Sequence, residues 1–287
     1  IMQLKDFASL EQKNPELYAK IIMNHGWVLH NLARYNEASE KLIESERLIN
    51  KYGTLIDNKH IAQMYYLRAI ELFEEATYEK AADYCNKALY YDQLAYGDNA
   101  VELCSSLNQL GAIRQKQNNI AEALQLFLRS YHIRLNYYGE KNLFTTISLR
   151  NYAKTLLRRG KREDLDTVHE LFQKVLSIRK ELSKNGMASG WLAQIYLDMA
   201  DYYNKVENYS SAKLNISMAE DLYSTGGTDR DIATCKMQMG IILYNEEKMN
   251  EASDEFSTAI DIRKKYYGED HPYMVELKGW FNMCNRK

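Results

Sequence analysis

Residues 107–140 read LNQLGAIRQKQNNIAEALQLFLRSYHIRLNYYGE. Small residues stand at Gly111 and Ala123, twelve positions apart, and the large apolar residue Phe127 follows four positions later. Residues three and four positions apart share one face of a helix, and the polar run 116–119 interrupts the apolar pattern between the two small residues. The stretch therefore predicts two amphipathic helices joined by a short polar turn.

The same pattern recurs along the chain. Its first position is Gly26, Ala69, Gly111, Ala153, Ala200 and Gly240, and its second is Ala38, Ala81, Ala123, Val168, Ala212 and Ala252. The two positions are twelve residues apart in five copies and fifteen in the fourth, which has three extra residues near Gly160. Four residues after the second position stand Leu42, Cys85, Phe127, Phe172, Ile216 and Phe256. One helical hairpin cannot bury both of its faces, so hairpins repeated in this way are expected to stack as a solenoid.

The composition agrees with an all-helical chain. Its 287 residues include only 2 Pro and 13 Gly, too few for the many tight turns of a β-rich fold. Lys and Arg number 37 against 39 Asp and Glu, a net charge of −2 that argues against direct nucleic-acid binding. No apolar run approaches the roughly 20 residues needed to span a bilayer, so no membrane partner is expected.

The residues quoted so far resemble the tetratricopeptide repeat family. First positions lie 43, 42, 42, 47 and 40 residues apart, longer than that family's usual repeat of about 34 residues. The repeat ends Ile133-Arg-Leu-Asn-Tyr-Tyr-Gly-Glu-Lys141 and Ile262-Arg-Lys-Lys-Tyr-Tyr-Gly-Glu-Asp-His-Pro272, with Leu107-Asn-Gln-Leu-Gly111, are similar to the repeat of about 42 residues found in kinesin light chains.

This resemblance implies an all-α, right-handed superhelical solenoid of about six antiparallel helix hairpins and a terminal helix, forming a single domain over residues 1–287. The expected repeats are 15–56, 57–98, 99–140, 141–186, 187–227 and 228–271, and the terminal helix is 272–287. Residues 2–14 read as the end of a preceding helix, and we expect the chain to be a fragment of a longer protein.

A search for chemistry finds no catalytic or metal-binding pattern. His25 and His30 are five residues apart, which places them on different helix faces, and no H-E-x-x-H occurs. The four cysteines contain no C-x-x-C pair, which argues against a zinc module and a disulfide framework and favours a reducing compartment. The sequence therefore predicts a cytoplasmic protein that is not an enzyme and has no cofactor or metal.

In the family that the chain resembles, the first helix of each repeat (helix A) lines a concave groove. The resemblance thus implies a peptide-binding surface formed by Asn24, Trp27, Tyr66, Phe73, Asn108, Gln109, Arg150, Asn151, Lys154, Arg158, Gln238 and Tyr244. Amide side chains offer both a donor and an acceptor to an extended peptide, and aromatic side chains are typical binding anchors.

Three cations of this set recur at a spacing of four. Arg150, Lys154 and Arg158 share one helix face and favour an acidic residue or a C-terminal carboxylate in the ligand. Asp198 and Asp201 on the next helix A face similarly, which predicts a dipolar groove.

These features predict an adaptor or scaffold that binds an extended peptide segment of a partner protein. The alternative is a ligand- or peptide-sensing regulatory domain that controls an attached effector, either a signalling ATPase or a transcription regulator. A purely scaffolding role also stays open, with the groove filled by a helix of the same protein or by a second copy in a homo-oligomer. A separate alternative for Tyr66, Ile70 and Phe73 is ordinary packing between repeats, since helix A contributes to both surfaces.

Overall fold

The computed structural model describes residues 4–32, 34–184 and 189–285, and within these ranges it contains helices and no strand. The α-helices are α1 Leu4–Lys13, α2 Pro15–Asn31, α3 Tyr35–Tyr52, α4 Asn58–Glu74, α5 Tyr78–Tyr96, α6 Leu103–Lys116, α7 Ile120–Tyr138, α8 Leu143–Arg159, α9 Leu165–Ser183, α10 Ser189–Lys205, α11 Tyr209–Gly226, α12 Asp229–Asn245, α13 Met249–Arg263 and α14 Pro272–Cys284. Short 3-10 helices occupy Gly53–Leu55 and Arg162–Asp164. The predicted all-α repeat fold is confirmed.

Six helix pairs follow one another from α2–α3 to α12–α13, and we number them repeats one to six, each with a helix A and a helix B. The chain divides into two compact units, Ile1–Tyr137 and Tyr138–Lys287, called the N-terminal and C-terminal units below. The predicted repeat boundary at 186 and 187, the start of the predicted preceding helix at 2 and 3, and residues 286 and 287 of the predicted terminal helix lie outside the described residues.

The recurring small residues are where the two helices of a repeat touch. A Cβ atom built on Gly111 would lie 2.7 Å from the ring of Phe127, and a Cβ on Gly26 would lie 3.0 Å from Leu42. Ala123, at the second position of repeat three, is fully buried. The spacing of twelve and then four thus encodes the contact between helix A and helix B, since only a small residue lets the large one approach the backbone.

The turns between helices A and B in repeats two, three, five and six share one backbone conformation. Ala76, Asn118, Glu207 and Glu247 have φ angles of 57°, 61°, 60° and 65°, in the left-handed region. The next residue donates its N–H back to the final turn of helix A, as Lys248 does to the carbonyl of Leu243 at 2.9 Å. This is the usual way of satisfying carbonyl groups at a helix end, and it ends helix A at the same point in each of these four repeats.

Side-chain caps fix the start of several A helices and of the terminal helix α14. Asn14, Asp57, Asn142 and His271 each accept a hydrogen bond from a backbone N–H in the first turn of α2, α4, α8 and α14. At the start of α12, Thr228 and Asp231 form a capping box, in which each side chain accepts a hydrogen bond from the backbone N–H of the other residue. Caps of this kind stabilise a helix start by about 1 kcal/mol each, so these five helices begin at well-defined residues.

Candidate functional site

The A helices of the N-terminal unit, α2, α4 and α6, are neighbours, with α2 touching α4 and α4 touching α6. An open cavity of about 380 Å³ lies on this part of the unit. It is lined by Trp27, Lys59, Ala62, Gln63, Tyr66, Leu67, Asp92, Tyr96, Glu102, Ser105 and Ser106. Two of the residues predicted for the binding surface, Trp27 and Tyr66, therefore lie on the wall of one cavity.

Both aromatic side chains are held by their surroundings. The Trp27 indole stacks on the imidazole of His30, with ring centroids 5.5 Å apart and planes within 9°. His30 in turn meets the ring of Tyr35 edge-on at 5.4 Å. Burial raises the pKa of Tyr66, so its hydroxyl stays neutral and available as a hydrogen-bonding group. Aromatic groups fixed in this way lose little conformational entropy when a ligand packs on them.

The polar side of the cavity is acidic. The Asp92 carboxylate accepts a hydrogen bond from the buried Ser106 hydroxyl at 2.8 Å. Burial raises the pKa of Asp92 to about 6, the Ser106 bond opposes that rise, and the nearby Glu102 carboxylate adds to it. The one cation on the wall, Lys59, has its ammonium 3.1 Å from Asp57. A ligand entering the cavity therefore meets carboxylates without a cation paired to them.

The other predicted residues of the N-terminal unit have different surroundings. Asn24 is exposed, and Asn108 and Gln109 on α6 are half-buried. The Nε2 atom of Gln109 is buried and has no hydrogen-bond partner among the described residues. Phe73 packs against the Tyr78 ring at 5.6 Å and against the apolar core between repeats. Phe73 therefore contributes to packing between helices.

In the C-terminal unit, the predicted cations meet a buried acid. Arg150 donates two hydrogen bonds to the Asp198 carboxylate, one of them at 2.9 Å, and Lys154 lies 3.0 Å from the same group. Asp198 is 0% exposed. Burial alone would raise the pKa of Asp198, but Arg150 and Lys154 together lower it, so the carboxylate is ionised. The two cations thus already have an internal carboxylate.

A second acid lies beside this group. Asp201 accepts a hydrogen bond from the Gln238 amide at 2.8 Å. Burial raises the pKa of Asp201 to about 6, although Lys154 and Arg150 oppose that rise. Of the predicted residues Arg150, Lys154 and Gln238, each now has an acidic partner within the unit.

The remaining predicted residues of the C-terminal unit do not join this cluster. Tyr244 meets the ring of Trp280 on α14 edge-on, with centroids 5.5 Å apart. Arg158 is exposed at the end of α8, and Asn151 is half-buried.

Asp92, Glu102 and Ser106 are not among the predicted site residues, because the prediction covers only the groove-facing positions of the A helices. A signal for Asp92 is present in the sequence. It follows Ala88 by four residues on helix B, and Ala88 is fully buried. Residues four apart share a helix face, so a carboxylate at 92 must lie on the inner face.

Two further properties bear on the class of site. In the part of the chain that the structure describes, no group of three or more His, Cys, Asp or Glu side chains is placed to hold a metal ion. Among the same residues, no helix combines the length and apolar character needed to cross a membrane.

Two parts of the sequence match models of a known repeat family. Residues 102–181 and 232–273 match family models described as Tetratricopeptide repeat. The mouse Tetratricopeptide repeat protein 23-like is 23% identical over 207 residues, which cover 72% of this chain. The chain spans only 44% of the length of that relative.

Solved structures share the fold at low sequence identity. A Rap protein complexed with competence and sporulation factor superposes with a TM-score of 0.66 and 11% identity, over 93% of this chain and 85% of that one. The nearly identical repeats of a kinesin light chain from Podosopora anserina give a TM-score of 0.50 and 12% identity, over 70% of this chain and 94% of that one.

Proposed function

Because the chain is a tetratricopeptide repeat protein, we propose that it is a non-enzymatic, cytoplasmic interaction module whose A helices bind an extended segment of a partner protein. The observation that carries this proposal is the cavity lined by α2, α4, α5 and α6, with Trp27 and Tyr66 on its wall. Aromatic side chains at the wall of a pocket are typical anchors of protein–protein recognition. Four free cysteines, three of them buried, agree with a reducing compartment.

The partner segment would lie along the A helices of the N-terminal unit. There the exposed side chains of Asn24, Gln63 and Ser105 belong to three successive A helices. Their short polar groups suit the alternating C=O and N–H groups of an extended backbone. In the C-terminal unit, by contrast, Arg150 and Lys154 are already ion-paired with the buried Asp198 carboxylate, which makes them less available to an external acid.

The test is capture of partners from a lysate of the source organism, comparing the wild type with Gln63→Trp/Ser105→Trp. Both positions are exposed and line the cavity, so bulky substitutions there should block it without disturbing the core. The matched control is Asn86→Trp/Gln125→Trp, two exposed positions on B helices. We expect a partner that the wild type and the control capture and the cavity variant does not.

A peptide array of the captured partner then maps the bound segment. Binding confined to one linear stretch supports an extended ligand. If Gln63→Trp/Ser105→Trp captures the partner as well as the wild type does, the partner binds elsewhere on the protein. The alternative of a sensing domain, and a homo-oligomeric role, stay predictions.

A further inference from the structure

One position of the repeat distinguishes repeat two from the others. The residue eleven positions after the second small position is Ile49, Asp92, Arg134, Arg179, Tyr223 and Arg263 in repeats one to six. Asp92 is the only acid in this series, and three of the others are arginine. Of these arginines, Arg134 is 7% exposed and Arg179 is 0% exposed. Repeat two therefore has a carboxylate where other repeats bury a guanidinium.

Repeat four shows what the buried arginine does. The Arg179 guanidinium donates a hydrogen bond to the Thr146 hydroxyl at 3.1 Å and another to the Trp191 carbonyl at 2.5 Å. It also lies over the Trp191 ring, 5.9 Å from the centroid. The long side chain thus fills the space between its own helix A and the next one.

In repeat two the corresponding space is open. Thr146 precedes the first small position of its repeat by seven residues, and the equivalent residue in repeat two is Ala62. Trp191 precedes the next first position by nine residues, and the equivalent residue is Glu102. Ala62, Asp92 and Glu102 all line the 380 Å³ cavity. The cavity therefore lies where Arg179 is packed in repeat four.

The charges and aromatic rings at this cavity suit a guanidinium group. Asp92 is paired with a neutral hydroxyl, and Glu102 forms no ion pair with any residue in the described ranges. Trp27 and Tyr66 offer ring faces, on which a guanidinium stacks favourably. A planar guanidinium can also bond a carboxylate through two parallel N–H groups, which an ammonium cannot do.

We propose that the cavity of the N-terminal unit takes an arginine side chain of the partner segment, whose guanidinium occupies the place that Arg179 fills in repeat four. This inference rests on the proposed function, because the arginine would be the anchor residue of the partner segment. The preference is opposite in sign to the acidic or carboxylate ligand predicted from Arg150, Lys154 and Arg158.

The test uses the whole chain and the probe acetyl-Ala-Arg-Ala-amide at millimolar concentration. Its binding is followed in the ¹⁵N-labelled protein through the indole N–H signal of Trp27, while Trp191 and Trp280 in the C-terminal unit serve as internal references. The same peptide with citrulline, a neutral isostere of arginine, is the ligand control. We expect the arginine peptide to shift the Trp27 signal and the citrulline peptide to bind at least about tenfold more weakly.

Two variants remove the acids one at a time. Asp92→Asn keeps an acceptor for Ser106, and Glu102→Gln changes an exposed side chain, so neither threatens the fold. Each should weaken the arginine peptide by about tenfold, the loss expected for one charge-assisted bond. Asp83→Asn removes an exposed carboxylate from the same helix outside the cavity and should leave the affinity within about twofold. Equal binding of both peptides, or equal affinity in all variants, would overturn the proposal.

Partner capture separates this inference from the proposed function. If the wild type and Asp92→Asn/Glu102→Gln capture the same partner equally, the arginine anchor is wrong and the interaction module stands. If the wild type captures no partner while the arginine peptide still shifts Trp27, the cavity chemistry is right and the proposed function fails.

Discussion

Gly240 lies so close to Phe256 that a Cβ atom on it would come within 2.7 Å of the phenyl ring. The same distance separates a Cβ on Gly111 from Phe127. In both repeats the ring of helix B sits directly on the backbone of helix A. The first small position is therefore a packing requirement of the repeat, and its effect on stability can be measured.

We expect Gly240→Ala to lower the free energy of unfolding by about 1–3 kcal/mol, since the new methyl group must displace a fully buried ring. Gly279→Ala on α14 is the control, because a Cβ there meets nothing within 4 Å. Alanine is a better helix former, so the control should gain up to about 1 kcal/mol. Urea denaturation measures both, and equal stabilities would contradict the packing requirement.

Asp198→Asn should destabilise the C-terminal unit by about 3 kcal/mol or more at neutral pH, because it leaves Arg150 and Lys154 without their buried counter-charge. Glu163→Gln is the control. It breaks an exposed pair with Lys161 and should cost less than about 0.5 kcal/mol. A urea midpoint for Asp198→Asn as high as that of the control would show that the pair contributes little.

Unlike Asp198, the Asp201 carboxyl should destabilise the folded protein when it ionises, so its effect on stability depends on pH. Its pKa is about 6 in the folded protein against an ordinary value of 3.8, so the folded state holds its proton more tightly than the unfolded chain. Stability is then lost as pH rises from 3.8 to about 6. Asp201→Asn removes this loss, while the amide oxygen can still accept the bond from Gln238.

The groups that act on the Asp201 carboxyl are Lys154, Asp198, Arg150 and Gln238. Melting temperatures of the wild type and Asp201→Asn should diverge in favour of the variant above about pH 6 and converge below about pH 4. A difference that does not change with pH would contradict the raised pKa.

Glu247→Gly should stabilise the protein by about 0.5–1 kcal/mol. Glu247 has a φ of 65°, a conformation that costs an L-residue about 1–2 kcal/mol and glycine almost nothing, and the greater freedom of glycine in the unfolded chain offsets part of the gain. Glu251→Gly, at an exposed position in the first turn of α13, is the control and should be destabilising by up to about 1 kcal/mol. Thermal denaturation that ranks Glu247→Gly below the wild type would contradict the prediction.

The cysteines should differ in reactivity. Cys85, Cys104 and Cys235 are buried, whereas Cys284 on α14 is partly exposed. Burial raises the pKa of Cys85 and of Cys235 to about 12, so neither forms a thiolate at neutral pH. Brief alkylation of the native protein, mapped by mass spectrometry, should modify Cys284 first and the other three only after unfolding. Early modification of Cys85 would contradict the burial.

The helix pairs could be predicted from the sequence because their pattern is local. Twelve residues between Gly111 and Ala123, and four more to Phe127, already contain both helices and their contact. The exposure of individual side chains on helix A depends instead on the neighbouring repeats. The position two residues before the first small residue is exposed as Asn24, half-buried as Gln109, Asn151 and Gln238, and buried as Leu67 and Asp198. Periodicity assigns all of these to one face and cannot rank them.

The same limit explains the candidate site. Trp27 and Tyr66 were predicted as separate anchors on two helices, and the structure brings them to one cavity. The acids opposite them come from the last turns of helix B and the segment after it, whereas the predicted site was drawn from the A helices alone. The residue spacing within one repeat does not show which side chains of three different repeats line the same cavity.

The cavity of the N-terminal unit draws its walls from three consecutive repeats, with Trp27 on α2, Tyr66 on α4 and Ser106 on α6. Repeat arrays are held together mainly by contacts between nearest neighbours, so under a pulling force each interface can open separately. A side chain bound in this cavity would contact the first and the third repeat at the same time. It would act as a mechanical clamp, raising the force needed to peel the first repeat away and making the stiffness of this unit depend on its ligand.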